Sequence, residues 1–213
     1  MIKFWGYFRS TAAYRVRIGL NLKGLEHECD YVHLAKGEHF GDAFKALNPQ
    51  QLVPVLEVDE GGTRHALIQS MAILEYLDET HPTPPFLPEG AVLRARVRGV
   101  ADIVACDIHP VNNLRVLKYL RGPLGQDEAA VNAWIAHWIA AGFEAIEALI
   151  EGERFCFGDQ PTLADICLVP QIFNARRFEV DLTPYPKIRA VEERCGEMAA
   201  FADAHPAKQP DAE

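Results

Sequence analysis

Ser10 and Thr11 bring two hydroxyls to the point where a short apolar run, Phe4-Trp5-Gly6-Tyr7-Phe8, gives way to a helical pattern beginning Ala12-Ala13-Tyr14. The first turn of a helix carries unpaired N–H groups and the positive end of the backbone dipole, which favours a nearby anion by about 0.3–1 kcal/mol. Either hydroxyl can donate to the same anion. No cysteine lies near this junction in the sequence, so a thiolate held there belongs to a bound thiol. Ser and Thr are also ordinary helix caps, and the pair gains weight only from its company.

That company is spread along the first eighty or so residues. Pro54 opens a strand after Gln51-Leu52-Val53; a cis bond would turn the Val53 N–H and C=O outward to pair with an extended peptide, whereas a trans proline would simply start the strand. Gln69-Ser70 enters another helix, where a carboxylate would meet a hydroxyl, an N–H and the dipole together. Arg9, Arg15, Arg17, Arg115, Arg176 and Arg177 supply guanidinium groups, which fork onto carboxylates through two parallel bonds. Thr162 and Asp165 fit a capping box, a stabilising feature rather than a chemical one.

The spacing of apolar residues predicts the elements that position these groups. Strands fall over 2–7, 28–34, 55–58 and 64–68, and helices over 12–23, 42–47 and 70 to about 80, in the order β-α-β-α-β-β-α. Ala12, Val16 and Leu20 form the stripe of the first helix, Gly24 stops it, and Asn48-Pro49 closes the second. Asp59-Glu60-Gly61-Gly62 turns a hairpin, and Ser70 is placed to cap the third helix. Pro82, Pro84, Pro85 and Pro88 then form a stiff connector, dividing the chain into domains over 1–81 and 89–213. Beyond it helices are expected over 92 to about 120, 127–150, 162–178 and 186 to about 205, with Pro110 kinking or breaking the first. Residues 206–213 read as a frayed or surface-lying tail.

Composition excludes several classes. A net charge of −9 argues against a nucleic-acid partner, which needs a basic face. The five cysteines have no metal or disulfide spacing and read as reduced core thiols of a cytoplasmic protein; the eight histidines show no ligand pattern. No phosphate-cradling glycine loop and no membrane-spanning apolar run occurs.

Taken together, Tyr7-Phe8-Arg9-Ser10, Tyr14-Arg15-Val16-Arg17-Ile18, Asn48-Pro49, Val53-Pro54, Gln69-Ser70, Thr162-Leu163-Ala164-Asp165 and Asn174-Ala175-Arg176-Arg177-Phe178 make a chain that resembles the zeta-class glutathione transferases, and among them the isomerases of maleyl-oxo acids. The resemblance spans nearly the whole chain, with Gln209-Pro210-Asp211 fitting at its end. It implies a glutathione transferase fold: an α/β thioredoxin-like N-terminal domain, an all-α C-terminal domain, and assembly as a homodimer. It also implies glutathione as cofactor, with Ser10 bonding the sulfur, Val53 pairing with the peptide before a cis Pro54, and Gln69 with Ser70 holding the γ-glutamyl end. Arg9, Arg115 and Arg177 stand at the positions that would hold the carboxylates of a small dicarboxylate substrate. The implied reaction is cis-to-trans isomerisation, of maleylpyruvate to fumarylpyruvate or maleylacetoacetate to fumarylacetoacetate; general glutathione conjugation and a non-catalytic binding module are the alternatives. Thr11, Ala12 and Ala13 stand where the family pattern runs Ser-Cys-Ser, so Thr11 keeps one donor beside Ser10. Leu52 replaces a frequent glutamine, leaving Gln51 or His39 to contact the glycine end of the cofactor.

Overall fold

A computed structural model describes residues 1–213. The chain divides into two compact units, Met1–Pro85 together with Met198–Glu213, and Phe86–Glu197.

The first unit is built on a four-stranded mixed sheet of order β2-β1-β3-β4. β1 (Ile2–Gly6) leads into α1 (Thr11–Leu22), which crosses over to β2 (Glu28–Tyr31), parallel to β1. A 3-10 turn (Glu38–Phe40) and α2 (Asp42–Leu47) follow, then the antiparallel hairpin β3 (Val55–Glu60) and β4 (Thr63–Ile68), then α3 (Ser70–Thr80). The predicted order of strands and helices is the observed one. α1 ends as its sequence requires: Gly24 sits at φ 64, and the N–H groups of Gly24 and Leu25 return to the carbonyls of Asn21 and Leu20. This left-handed closure costs glycine nothing. β2 is shorter than expected, stopping at Tyr31 rather than Leu34.

The end of the chain departs from its sequence-based reading. Residues 186 to 205 are not one helix, because α9 (Pro186–Gly196) stops and α10 (Ala199–Ala202) starts afresh. Of the two readings of residues 206–213, frayed or surface-lying, the second holds: Ala207, Lys208, Pro210, Ala212 and Glu213 are exposed, yet the segment is ordered by a 3-10 turn over Pro206–Lys208, and the residues before it are packed. Phe201, Ala204 and Pro206 are buried, Asn21 Nδ2 donates to the Ala200 carbonyl at 3.0 Å, and residues 198–213 belong to the sheet-bearing unit rather than to the helical one.

The second unit is all helical. α4 (Ala91–Asp102) runs through a π turn (Ile103–Ile108) into α5 (His109–Val111), and α6 (Leu114–Arg121), α7 (Glu128–Leu149) and α8 (Leu163–Arg177) precede α9. The kink expected at Pro110 appears as the π turn just before it, where the His109 N–H reaches back to Val104. A proline ring crowds the carbonyl four residues earlier, and widening the turn relieves this. Thr162 and Asp165 form the expected capping box: the Thr162 N–H and hydroxyl donate to Asp165 Oδ2 at 2.7 and 2.9 Å, and the Cys156 N–H donates to Oδ1 at 2.8 Å. No helix is long and apolar enough to cross a membrane.

The expectation that all five cysteines are core thiols fails for two of them. Cys156, Cys167 and Cys195 are buried, whereas Cys29 and Cys106 are exposed, and no disulfide joins any of the five. Cys29 lies on β2, an edge strand with one face toward solvent.

Candidate functional site

Three loops of the first unit leave the sheet at the same end. Trp5 of β1 stands opposite Val55 of β3, and Val55 opposite Ile68 of β4. The chain after β1, before β3 and after β4 therefore emerges side by side, carrying Arg9 with Ser10, Val53 with Pro54, and Gln69 with Ser70. β2 ends in the same direction, and His39 lies beyond it. Tyr7, Phe8, Val32, Phe44, Val53 and Val55 form one buried cluster, giving these loops a common apolar floor.

Ser10 is the N-cap of α1, and its Oγ accepts from the Ala13 N–H at 3.2 Å. A serine hydroxyl has one hydrogen, and accepting from the helix N–H leaves that hydrogen available for donation to a ligand. Ser10 is therefore both a cap and a donor beside the positive end of α1. Thr11 is the first residue of α1 and is buried. Arg9 lies over the Phe8 ring at 4.9 Å, and its Nη2 is 3.9 Å from Glu213.

Ser70 repeats this arrangement at the start of α3. The sequence predicts Ser70 as the cap, but Gln69 holds that position at φ 72, and Ser70 is the first helical residue. Its Oγ accepts instead from Arg15 Nη1 at 3.2 Å. Arg15 is 2% exposed, so its guanidinium stands behind Ser70 as an internal cation. Gln69 is held from the side, its Nε2 donating to Gln50 Oε1 at 2.7 Å.

The segment before β3 is shaped by Asn48, which is buried. Its Oδ1 accepts from the Gln50 N–H at 2.9 Å and its Nδ2 donates to the Leu52 carbonyl at 2.7 Å. The Val53–Pro54 bond is cis, and β3 begins only at Val55, so Val53 precedes the ladder. Gln51 sits at φ 57 with its N–H on the Asn48 carbonyl, while the buried His39 ring meets the Phe40 ring at a tilt of 40° with centroids 3.9 Å apart.

Arg17, grouped by sequence with the possible carboxylate ligands, is internal. Its Nη2 donates to the Phe8 carbonyl at 3.1 Å, Nη1 to the Tyr7 carbonyl at 3.5 Å, and Nε to the Ala204 carbonyl at 3.0 Å. Burial pulls its pKa down to about 10, with Tyr14 and Asp211 opposing the fall, so it stays charged near neutrality. In the helical unit Arg115 is the second residue of α6 and is exposed, its N–H donating to Asn113 Oδ1 at 3.1 Å. Arg177 ends α8, exposed, over the Phe178 ring at 5.0 Å. Arg176 is committed to Glu192 through two bonds at 2.7 and 2.5 Å.

Asn48 and Gln50, which hold the segment before β3 and the Gln69 side chain, were not singled out by spacing, and Arg15 and Arg17 were read as ligand candidates rather than as internal supports. The signal that could have marked Arg15 and Arg17 as internal is their place, two residues apart, in a helix whose residues from Ala13 to Leu20 are all buried. The residues assembled at the sheet end match the demands of a γ-glutamyl tripeptide thiol. Ser10 offers a donor for an ionised sulfur, Val53 an unladdered peptide group for a backbone, and Ser70 with Arg15 behind it a site for a carboxylate.

Comparison with known proteins points the same way. Residues 9–80 match the glutathione S-transferase N-terminal domain, and residues 128–194 the glutathione S-transferase C-terminal domain. The chain is 58% identical to a maleylpyruvate isomerase of Ralstonia sp, over 99% of each protein. A holo structure described as maleyl pyruvate isomerase, a bacterial glutathione S-transferase in the zeta class, matches with a TM-score of 0.94 at 57% identity, covering 99% of this chain and 100% of that one. A maleylacetoacetate isomerase from Anaeromyxobacter dehalogenans, with dicarboxyethyl glutathione and citrate bound in its active site, matches with a TM-score of 0.91 at 46% identity, covering 100% of this chain and 98% of that one.

Proposed function

The chain belongs to the glutathione S-transferase family, and from that premise we propose that it is a glutathione-dependent cis-trans isomerase acting on a maleyl-oxo acid, maleylpyruvate or maleylacetoacetate. The observation that carries this reading is the Ser10 hydroxyl, engaged by its own helix and set at the same sheet end as Val53 and Ser70. Glutathione, when bound, would supply a nucleophilic thiol for reversible addition to the alkene, the chemistry that lets a cis double bond become trans with the cofactor recovered. Ser10 and the N-terminus of α1 lower the cost of the thiolate charge. Val53 pairs with the cofactor backbone, and Gln69 with Ser70 holds its γ-glutamyl carboxylate, backed by Arg15. Gln51 and His39 serve its glycine end. Thr11 adds a hydroxyl beside Ser10. Arg9, Arg115 and Arg177 bind the two carboxylates of the substrate and favour the negative charge that moves onto its oxo group.

The dicarboxyethyl glutathione held by the Anaeromyxobacter relative supports this chemistry, since it joins the cofactor to a two-acid fragment. A homodimer in the cytoplasm, with the cofactor held by the sheet-bearing unit and the substrate acids read in part by arginines of the helical unit, completes the reading; sedimentation of the purified protein tests the dimer.

Purified protein mixed with maleylpyruvate turns it over only when glutathione is present, followed by the ultraviolet change. Failure with both maleyl acids, with brisk conjugation of an aryl halide, would transfer the chain to the conjugating enzymes.

A further inference from the structure

The loop that carries Arg9 and Ser10 is gripped by the end of the chain. The Phe8 N–H donates to Asp211 Oδ2 at 2.9 Å, across 203 residues of sequence. The Phe8 carbonyl accepts from Arg17, whose Nε is fixed on the Ala204 carbonyl. Both polar groups of Phe8 thus end on side chains anchored in residues 198–213 or bonded to them. The Ser10 N–H returns to the Tyr7 carbonyl at 3.0 Å, and Arg17 also donates to that carbonyl, so the turn is pinned through successive peptide groups.

Asp211 is placed by an ordered segment. Pro206–Lys208 makes a 3-10 turn, and Gln209 Nε2 donates to the carbonyls of Asp203 and His205 at 2.9 and 3.1 Å. The second carboxylate oxygen, Oδ1, is buried without a hydrogen-bond partner, so the charged group is held for the bond that Oδ2 makes.

We propose that Asp211 is a positioning residue for the thiol site, holding the Phe8 peptide so that the next residues aim the Ser10 hydroxyl and the Arg9 guanidinium at their ligands. The proposal rests on the reading that Ser10 faces the cofactor sulfur. Asp211 touches neither cofactor nor substrate. Its loss is therefore felt at the sulfur, while Val53, Gln69 and Ser70 still hold the rest of glutathione.

The test uses full-length Asp211→Ala and Asp211→Asn with saturating glutathione, reading the bound thiolate by its ultraviolet absorbance across pH, with melting curves alongside. In Asp211→Ala the bound thiol titrates higher, so that its thiolate fraction at neutral pH, and kcat with maleylpyruvate, fall about tenfold while KM for glutathione barely moves. Asp211→Asn keeps an oxygen for the Phe8 N–H and stays close to the parent. A thiol titration in Asp211→Ala that coincides with the parent overturns the proposal, as does an Asp211→Asn protein that falls as far as Asp211→Ala. Should Asp211→Ala not fold, Asp211→Ser, whose shorter side chain misses the Phe8 N–H, takes its place. A parent enzyme that binds glutathione but leaves maleyl acids untouched would unseat the isomerase reading alone, since the thiol titration needs no second substrate.

Discussion

A hydroxyl in a protein is most useful to an anion when its acceptor side is already occupied, and Ser10 and Ser70 both meet that condition. Ser10 is engaged by a helix N–H and Ser70 by a buried guanidinium. Removing the Ser70 hydroxyl takes away the donor that relays the Arg15 charge outward. Ser70→Ala is expected to raise KM for glutathione about tenfold, the worth of one hydrogen bond to a charged group, with little change in kcat. An analogue lacking the γ-glutamyl α-carboxylate would bind parent and variant alike, and a penalty equal to that for glutathione would remove Ser70 from the carboxylate site. The arginines of the helical unit give the complementary experiment. Arg115→Ala and Arg177→Ala each remove a group able to fork onto a carboxylate, so kcat/KM for a maleyl acid is expected to drop by about tenfold to a hundredfold. Conjugation of an uncharged aryl halide should be almost untouched, and a parallel loss in both reactions would mean that these arginines do not read the substrate's acid groups.

Elements place these groups, and two of them have testable stability signatures. The capping box of α8 gathers three donors onto a carboxylate that burial pushes toward higher pKa while its hydrogen bonds from Cys156 and Thr162 pull the other way. Asp165→Ala strands the Cys156 and Thr162 N–H groups in the interior, at a cost on the order of 3 kcal/mol, measurable as a fall in the urea midpoint. A shift no larger than that of a surface substitution would deny the box this role. The C-terminal segment titrates differently. Burial lowers the His205 pKa from its ordinary 6.5, helped by the positive charges of Arg17 and Lys208, and its Nδ1 accepts from the Ala207 N–H at 3.2 Å. A depressed imidazole pKa means that the unfolded chain binds the proton more readily, so this site adds no penalty above 6.5 and destabilises the fold progressively as pH falls below it. Melting temperatures between pH 8 and 5 should therefore fall less in His205→Asn, which keeps an acceptor that does not titrate, and equal slopes would acquit His205.

Across the whole molecule, legibility follows the range of the interactions involved. α3 could be read from Ile73, Leu74 and Leu77, and the hairpin from Gly61-Gly62, because periodicity and turn chemistry are local properties. Ser10 was visible for the same reason. Asp211 was visible only as part of the family-like Gln209-Pro210-Asp211, and its contact was not: residues 206–213 have no periodicity, and the bond to Phe8 spans a separation that no window along the chain contains. Arg15 and Arg17 were seen as charges but not as internal struts, since a guanidinium is as able to satisfy buried carbonyls as to meet a substrate. The distribution of sulfur is another property of the whole. The thiols of Cys156 and Cys195 are pushed up by burial and by the Asp165 carboxylate, and Cys167 is buried on α8. Cys29 and Cys106 are exposed, with the Cys29 thiol raised by partial burial. An aromatic disulfide reagent at mildly alkaline pH should therefore modify Cys29 and Cys106 in the native protein, Cys29 slowly, and reach the other three only after denaturation. Peptide mapping of the labelled chain checks this: early modification of Cys156, Cys167 or Cys195 would mean that the helical unit opens, while a native chain labelled only at the two exposed positions leaves the reactive sulfur of the site to come from a bound thiol.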